Sequence, residues 1–485
     1  MEEVTKRSSA IDINWVHSTQ DSPDSPNMHA MSSRNTRTPP LHVNLVPEPS
    51  QDPNDPLNWL PIEKYSSYAT ICVFSFLATA NASNFGVAII PLAEYFHTST
   101  TTAGYLICFN TLMLGAGNLF WVPLMRVIGK RPVYLMAITL LMVFNIWSYQ
   151  ARSLGSLFCA RVLSGFAAAA GDAPVPAVVA DMFFAHERGF SMMLFQLALS
   201  SGFFIGPLIN AFIVQYTGGW QWTCGWIAVA AAANLLIALF TVRESSYCRR
   251  DMNAHASSFP ARKGMLGHMA LFHGVNQDSS FGESFMNIFT LAMYPPLVWA
   301  GITVGVFVGW NIVIQLESSV LFLKPPYLWQ IHSLGLLALS GLVGTLVAIF
   351  IGGKLIDMIA NRMTIRNNGH REPEYRLPAM IIPAILGPMG ILTFGLCAAS
   401  KTHWIGLAIG YGMQGFGLTA VSNILATYAV DAYHEAFGQM AAIQYFFVLF
   451  AILFYAKGKQ IRRWTATYGP LKKLSTNNML TTTGS

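Results

Sequence analysis

Charge is what this 485-residue chain has least of: Asp, Glu, Lys and Arg make up 11% of it, against 53% hydrophobic residues. Soluble globular chains carry roughly 25% charged residues, so this one has too little polar surface to cover itself in water. Its mean hydropathy of +0.43 agrees, and its solvent is a lipid bilayer. The net charge of +6 does not mark a nucleic-acid partner, because the basic residues fill short gaps between apolar runs and form no patch interleaved with exposed aromatics. Cysteine is also scarce: Cys72, Cys108, Cys159, Cys224 and Cys397 fall inside apolar stretches and only Cys248 in a polar one, so neither a disulfide framework nor a metal site follows. There is no Gly-x-x-x-x-Gly-Lys-Ser/Thr phosphate loop, which removes ATP-driven chemistry, and no HExxH pair or histidine box, which disfavours a membrane metalloenzyme.

What is present is a series of long apolar runs. Residues 1–62, rich in Ser, Asp, Asn and Pro and without a signal peptide, read as a disordered cytoplasmic tail. About eleven stretches then follow, each near the ~20 residues a helix needs to cross a bilayer. They fall near 65–87, 103–125, 131–149, 156–181, 190–214, 220–241, 294–316, 331–352, 378–398, 403–425 and 437–456. Helices are the economical reading, since backbone amides in lipid must be satisfied within the segment. A polar stretch after the sixth divides the chain into a six-helix bundle (63–242), a cytoplasmic loop (243–293), a five-helix bundle (294–456) and a basic tail (457–485). The fold class is an all-α polytopic membrane protein.

Basic residues orient it. Arg126, Lys130 and Arg131 follow the second stretch, Arg188 the fourth, Arg243, Arg249, Arg250, Arg262 and Lys263 the sixth, and Lys354, Arg362, Arg366, Arg371 and Arg376 the eighth. The alternate gaps hold only Arg152, Lys324 and Lys401, so the even-numbered exits and the amino terminus are cytoplasmic. The end conflicts with this parity: the eleventh stretch should exit outside, yet it runs into Lys457, Lys459, Arg462, Arg463, Lys472 and Lys473.

Polar residues inside the runs mark a substrate or ion path by default. Arg161 and Asp172 lie about three helical turns apart in the fourth stretch and are expected on similar sides of one helix, Asp172 to carry a proton and Arg161 to tune it or bind substrate, or else as structural charges satisfied by neighbours. Asn311 and Gln315 share one face of the seventh stretch with Ser318 and Ser319, while Glu317 points elsewhere, toward the outer rim. The amides either bind cargo or glue helices together, an ambiguity shared by Gln196, Asn210, Gln414 and Asn423. Pro174, Pro176, Pro383 and Pro388 should bend their helices. Trp220, Trp222 and Trp226 read as an interfacial belt, and the sequon at Asn81 as inaccessible within the first helix.

GNLFWVPLMRVIGKRPVYL (Gly117 to Leu135) resembles the cytoplasmic loop signature of the major facilitator superfamily. LFCARVLSGFAAAAG (Leu157 to Gly171) resembles its fourth-helix arginine motif, ADMFFAHERG (Ala180 to Gly189) the loop after it, and SGFFIGP (Ser201 to Pro207) its antiporter motif. DPNDPLNW (Asp52 to Trp59) is similar to the pre-helix segment of fungal drug:proton antiporter-type members, and Asn361 to Pro383 resembles a subgroup associated with organic cations, polyamines and small metabolites. The resemblance implies two pseudo-symmetric bundles around a central cavity that give alternating access to a midplane cargo site. It gives Arg161 the place of the motif arginine that assists proton transfer. Gly117, Arg126, Gly129, Lys130 and Arg131 take the loop signature, Asp181 its acidic partner, Gly202, Gly206 and Pro207 the antiporter helix, and Asp357 with Arg362 a repeat of the loop in the second half. Arg126 stands where the family loop usually has an aspartate, and Asn210 and Ala211 where it tends to have paired glycines.

The family has twelve helices, so about eleven here, with the basic tail joined to the last, imply that one helix and its preceding loop are missing. The implied function is proton-coupled export of a toxin, drug or secondary metabolite by a monomer in the plasma membrane, with a vacuolar or vesicular membrane as the alternative, a small molecule and the bilayer as partners and no cofactor beyond the proton gradient. The alternatives are uptake of polyamines or other organic cations, and a truncated non-transporting membrane protein. A tag after Ser485 separates the two readings of the end: access only in permeabilised cells follows from the basic tail, access in intact cells from eleven crossings.

Overall fold

Helices account for the long apolar runs because a chain in hydrocarbon can satisfy its amides only within itself. The computed structural model describes Asp52 and residues 55–172, 175–246, 281–282, 284–286, 295–323, 327–349, 353, 355–367 and 373–432. Among the described residues there is no strand. The first half holds α1 (Pro61–Ala82), α2 (Ile89–Tyr95), α3 (Thr100–Ile128), α4 (Lys130–Gln150), α5 (Leu154–Ala168), α6 (Val175–Met182), α7 (Ala185–Thr217) and α8 (Trp222–Thr241). The second holds α9 (Pro295–Phe322), α10 (Ile331–Ile349), α11 (Leu355–Arg366), α12 (Ile381–Ala399) and α13 (Trp404–Ala432). Local chemistry sets the ends. Ser99 Oγ accepts from Thr102 N at 3.1 Å to cap α3, Ser153 Oγ accepts from Ser156 N at 3.3 Å to cap α5, and Gly218 ends α7 at φ +65°.

By length and composition eight segments among the described residues can cross a bilayer, fewer than the eleven expected. Two of the others are α1 and α13, helical where expected but more polar. Their buried residues include Ser67, Ser75, Thr79 and Asn81 in α1 and Gln414, Thr419, Ser422 and Asn423 in α13, a composition suited to helices walled in by others. The stretch 437–456 and the basic tail lie outside the described residues, as do residues 1–51.

The fourth stretch is not one helix. α5 gives way to a 3-10 turn at Ala169–Gly171, with Asp172 as its C-cap, and α6 restarts at Val175. The expected alignment of Arg161 and Asp172 on one continuous helix therefore fails. Pro176 lies in the first described turn of α6; Pro174 lies outside the described residues. Folded structure also begins ahead of the expected boundary at 62. Asp55 accepts from Leu57 N at 3.0 Å to cap a 3-10 turn over Pro56–Asn58, and Asp55, Leu57 and Trp59 are buried.

Small residues let the helices touch. α7 lies on α1, where a Cβ at Gly202 would fall 2.0 Å from Thr79 Oγ1, and Thr79 Oγ1 donates to Leu199 O at 2.8 Å. α7 also runs against α10 of the second half, with Gly335 over Leu208 and Ala211 and Gly341 over Phe204. The closest approach of a first-half glycine to another helix's backbone is between α5 and α3, where a Cβ at Gly165 would meet the Asn110 carbonyl oxygen at 2.2 Å, whereas one at Gly155 meets nothing within 4 Å. Gly165→Ala is expected to cost about 1–3 kcal/mol through overpacking, read as a lowered Tm of the detergent-solubilised protein. Gly155→Ala should cost nothing; equal Tm values for the two would refute the close approach.

Candidate functional site

Burying a guanidinium is costly unless acceptors surround it. Arg161 is 0% exposed, and α1 supplies those acceptors: Nη1 donates to Asn81 Oδ1 at 2.8 Å and Nη2 to Asn81 O at 2.5 Å. Its guanidinium carbon sits 4.8 Å from the Phe85 ring centroid, a cation–π contact that adds to the attraction. Asn110 on α3 fixes the same turn, donating to Arg161 O at 2.6 Å and to Ser164 Oγ at 3.0 Å. Asp172 is buried as well, at the C-cap of the 3-10 turn, with no ion pair between the two.

Beside this cluster Asn210 Nδ2 donates to Asn84 O and Oδ1, both at 2.9 Å, Trp226 Nε1 donates to Asn210 Oδ1 at 2.6 Å, and Asn84 Nδ2 reaches Cys224 Sγ at 3.3 Å. The tryptophan belt is corrected accordingly. Trp222 is half exposed, but Trp220 is buried against Phe85, Tyr95 and Phe96, and Trp226 serves the interior, because each finds a polar or aromatic partner there.

The amides of the second half face the same region. Gln315 Nε2 donates to Asn311 Oδ1 at 2.7 Å and crosses to Phe203 O of α7 at 3.1 Å. Asn311 Nδ2 donates to Gln414 Oε1 at 3.2 Å, and Gln414 Nε2 to Phe307 O at 2.9 Å. Tyr411 lies beside Gln315 and Asn311 and packs its ring on Phe204. Ser319 donates to Gly86 O, and Gly86 has Gln315 Oε1 3.2 Å from where a Cβ would sit. A buried polar seam thus runs from Arg161 through Asn81, Phe85 and Gly86 to Gln315, Asn311 and Gln414. Glu317 is exposed and takes no part.

A second constellation lies at the junction of α3 and α4. α3 ends and α4 starts at Gly129, whose φ of +96° suits glycine alone and whose Cβ position lies 2.7 Å from Glu244 Oε2. Glu244 caps α4, its Oε1 accepting from Lys130 N and its Oε2 from Arg131 N, both at 3.0 Å. The Lys130 ammonium pairs with Asp181 and donates to Ala177 O at 3.2 Å, while Arg131 Nη2 donates to Leu239 O at 2.9 Å. Arg243–Glu63 at 3.0 Å and Lys64–Glu187 at 3.5 Å tie α8, α1 and α7 beside them. Gly117 packs against the end of α5, with Ala169 Cβ 2.7 Å from its Cβ position; Arg126 is half-buried on the last turn of α3. Gly202 and Gly206 make the α1 contact of α7, and Pro207 lies within that helix. Arg362 is exposed on α11, and Asp357, also on α11, has its side chain outside the described set.

Glu244 escapes sequence reading because it lies far along the chain from the helix it caps. Asn81 sits in a visible polar run, Asn81 to Asn84, inside an apolar stretch; that run was the signal, and the sequon reading absorbed it. Glu244→Ala should destabilise the protein by about 1 kcal/mol through loss of the cap, with Glu244→Gln, which keeps an acceptor, intermediate in Tm; an unchanged Tm in Glu244→Ala would remove the cap from the account.

Comparison with known proteins fits this architecture. Residues 71–456 match the family model described as Major Facilitator Superfamily. The MFS-type transporter penM of Penicillium rubens is 29% identical, over 79% of this chain and 75% of its own length. The MFS transporter cpaT of Aspergillus oryzae is 28% identical, over 79% and 77%. The proton:xylose symporter XylE bound to 6-bromo-6-deoxy-D-glucose superposes with a TM-score of 0.58 over 84% of this chain and 91% of that one, at 15% identity. Partially occluded inward open XylE from E. coli superposes with a TM-score of 0.53 over 84% and 99%, also at 15%.

Proposed function

This chain belongs to the Major Facilitator Superfamily, and we propose that it is a proton-coupled exporter of a small organic compound, a toxin, drug or secondary metabolite, working as a monomer in the plasma membrane. The observation that supports this reading is the buried seam of hydrogen-bonding side chains joining the two halves, Asn311, Gln315 and Gln414 against α7 and the Phe85–Gly86 turn. Such groups in lipid are retained where they serve a path, and their amides can exchange each other for the polar atoms of a cargo at little net cost.

Asp172 is the proton carrier in this reading. It is the one buried carboxylate within a spanning segment among the described residues, and it sits where helical structure breaks between α5 and α6. A carboxyl at that break can take a proton from one side and release it to the other as its surroundings change. Export, as against uptake, is supported by the antiporter-like SGFFIGP stretch, whose Gly202 and Gly206 bring α7 onto α1. Uptake of a polyamine finds less support, since a polycation calls for several acidic side chains and the described spans bury one.

Accumulation of labelled cargo in inverted membrane vesicles should collapse when an uncoupler dissipates the proton gradient, and indifference to the uncoupler would defeat the coupling. Asp172→Asn should lose gradient-driven accumulation while keeping downhill exchange, whereas loss of both would assign Asp172 a packing role.

A further inference from the structure

The buried cations among the described residues divide into two kinds. Lys64, Arg131, Arg188 and Arg376 stand at the ends of spanning segments, while Arg161 stands within one. Every partner of Arg161 is neutral: the Asn81 amide oxygen, the Asn81 carbonyl and the Phe85 ring. Its Nε–H, fully buried, has no hydrogen-bond partner, and no described carboxylate forms an ion pair with it. Against the same Phe85 ring, 6.0 Å between centroids, Trp220 is 1% exposed and its indole N–H is likewise unpartnered. Two desolvated donor groups, one of them cationic, thus adjoin one aromatic ring. An unpaired guanidinium in a low-dielectric interior is a deep well for a negative charge, and a buried donor lacking an acceptor favours any ligand that brings one.

We propose that Arg161 is the anion-binding element of the cargo site, and that the transported compound carries a carboxylate or an equivalent single negative charge beside an aromatic or apolar body. This rests on the reading of the seam as the cargo path. The carboxylate takes the Arg161 guanidinium, the apolar body lies against Phe85, and the amides of Gln315, Asn311 and Gln414 receive the neutral polar part. Phe85 and Gly86 are the link, since Phe85 stacks on Arg161 and Gly86 adjoins Gln315. The Asn81 oxygens hold the guanidinium in place without neutralising it, which a carboxylate at that position would do.

The test is equilibrium binding to the purified full chain in detergent, using 2-naphthoate, 2-naphthamide and 2-naphthylmethylamine as matched probes. Naphthoate should bind at least about tenfold more tightly than the amide, which lacks the charge the site is built for, and the amine should bind weakest. Asn81→Asp places a carboxylate on the guanidinium and is expected to keep the protein folded, as judged by its Tm, while abolishing the naphthoate preference. A purely structural Arg161 would leave that preference unmoved in Asn81→Asp. Arg161→Lys, which keeps the charge and loses the fork, should retain a weakened preference. Equal binding of the three probes, binding by none, or tightest binding by the amine overturns the proposal. The assay carries no gradient, so failure of proton coupling in vesicles overturns the transport reading alone, and a probe-blind binding profile overturns this one alone.

Discussion

A cation that cannot leave the hydrocarbon organises the first half of this protein. Arg161 is fixed in the chain at a depth where water is not available to solvate it, so α1 must come close enough to bring both oxygens of Asn81 into reach, and α3 close enough for Asn110 to hold the same turn. That proximity is possible because Gly165 has no side chain where α3 passes and Gly202 has none where α1 passes α7. The glycines do not act as hinges here; they set the distances at which the polar groups can meet.

Two electrostatic regimes follow. Around the α3–α4 junction the pairs Lys130–Asp181, Lys64–Glu187 and Arg243–Glu63 are partly exposed, and pairs of this kind contribute about 0–1 kcal/mol each because water screens them. They can be broken and remade. In the interior the described hydrogen bonds between the halves are made by neutral groups, Ser319 to Gly86 and Gln315 to Phe203, so that the exchange of one amide partner for another leaves no bare charge. Partners at both levels can therefore be exchanged at low cost, whereas the Arg161 cluster lies wholly within the first half.

The run of helices and the loop signature were legible in the sequence because each is written locally: in hydropathy over about twenty residues, and in Gly129 with Lys130 and Arg131. The break between α5 and α6 was less so, since Ala169–Gly171 is as apolar as a helix and Pro176 alone does not distinguish a bend from a restart. Pairings that cross the chain were not legible at all. Glu244 reads as one more charge after the sixth helix, and only the fold brings it to the amides of Lys130 and Arg131. Trp220 and Trp226 follow the composition of an interfacial belt; what draws them inward is Phe85, in the first helix's exit, for one and Asn210 of α7 for the other.

Basic residues in the gaps between the apolar runs are also those that the structure uses to fasten the end of the first half around the α3–α4 junction. Lys130 pairs with Asp181 and draws on the same loop as Arg131, whose amide is capped by Glu244; Arg243 pairs with Glu63. A positive charge placed for topology gains an acidic partner on a neighbouring helix at no cost in hydrocarbon, because it already sits at the water boundary. The interior has no such surplus. There Arg161 is met by neutral oxygens alone, so a cation tolerated at the boundary by pairing is tolerated at depth by leaving its charge available, and the division of labour between the two ends of the first half follows from where water stops.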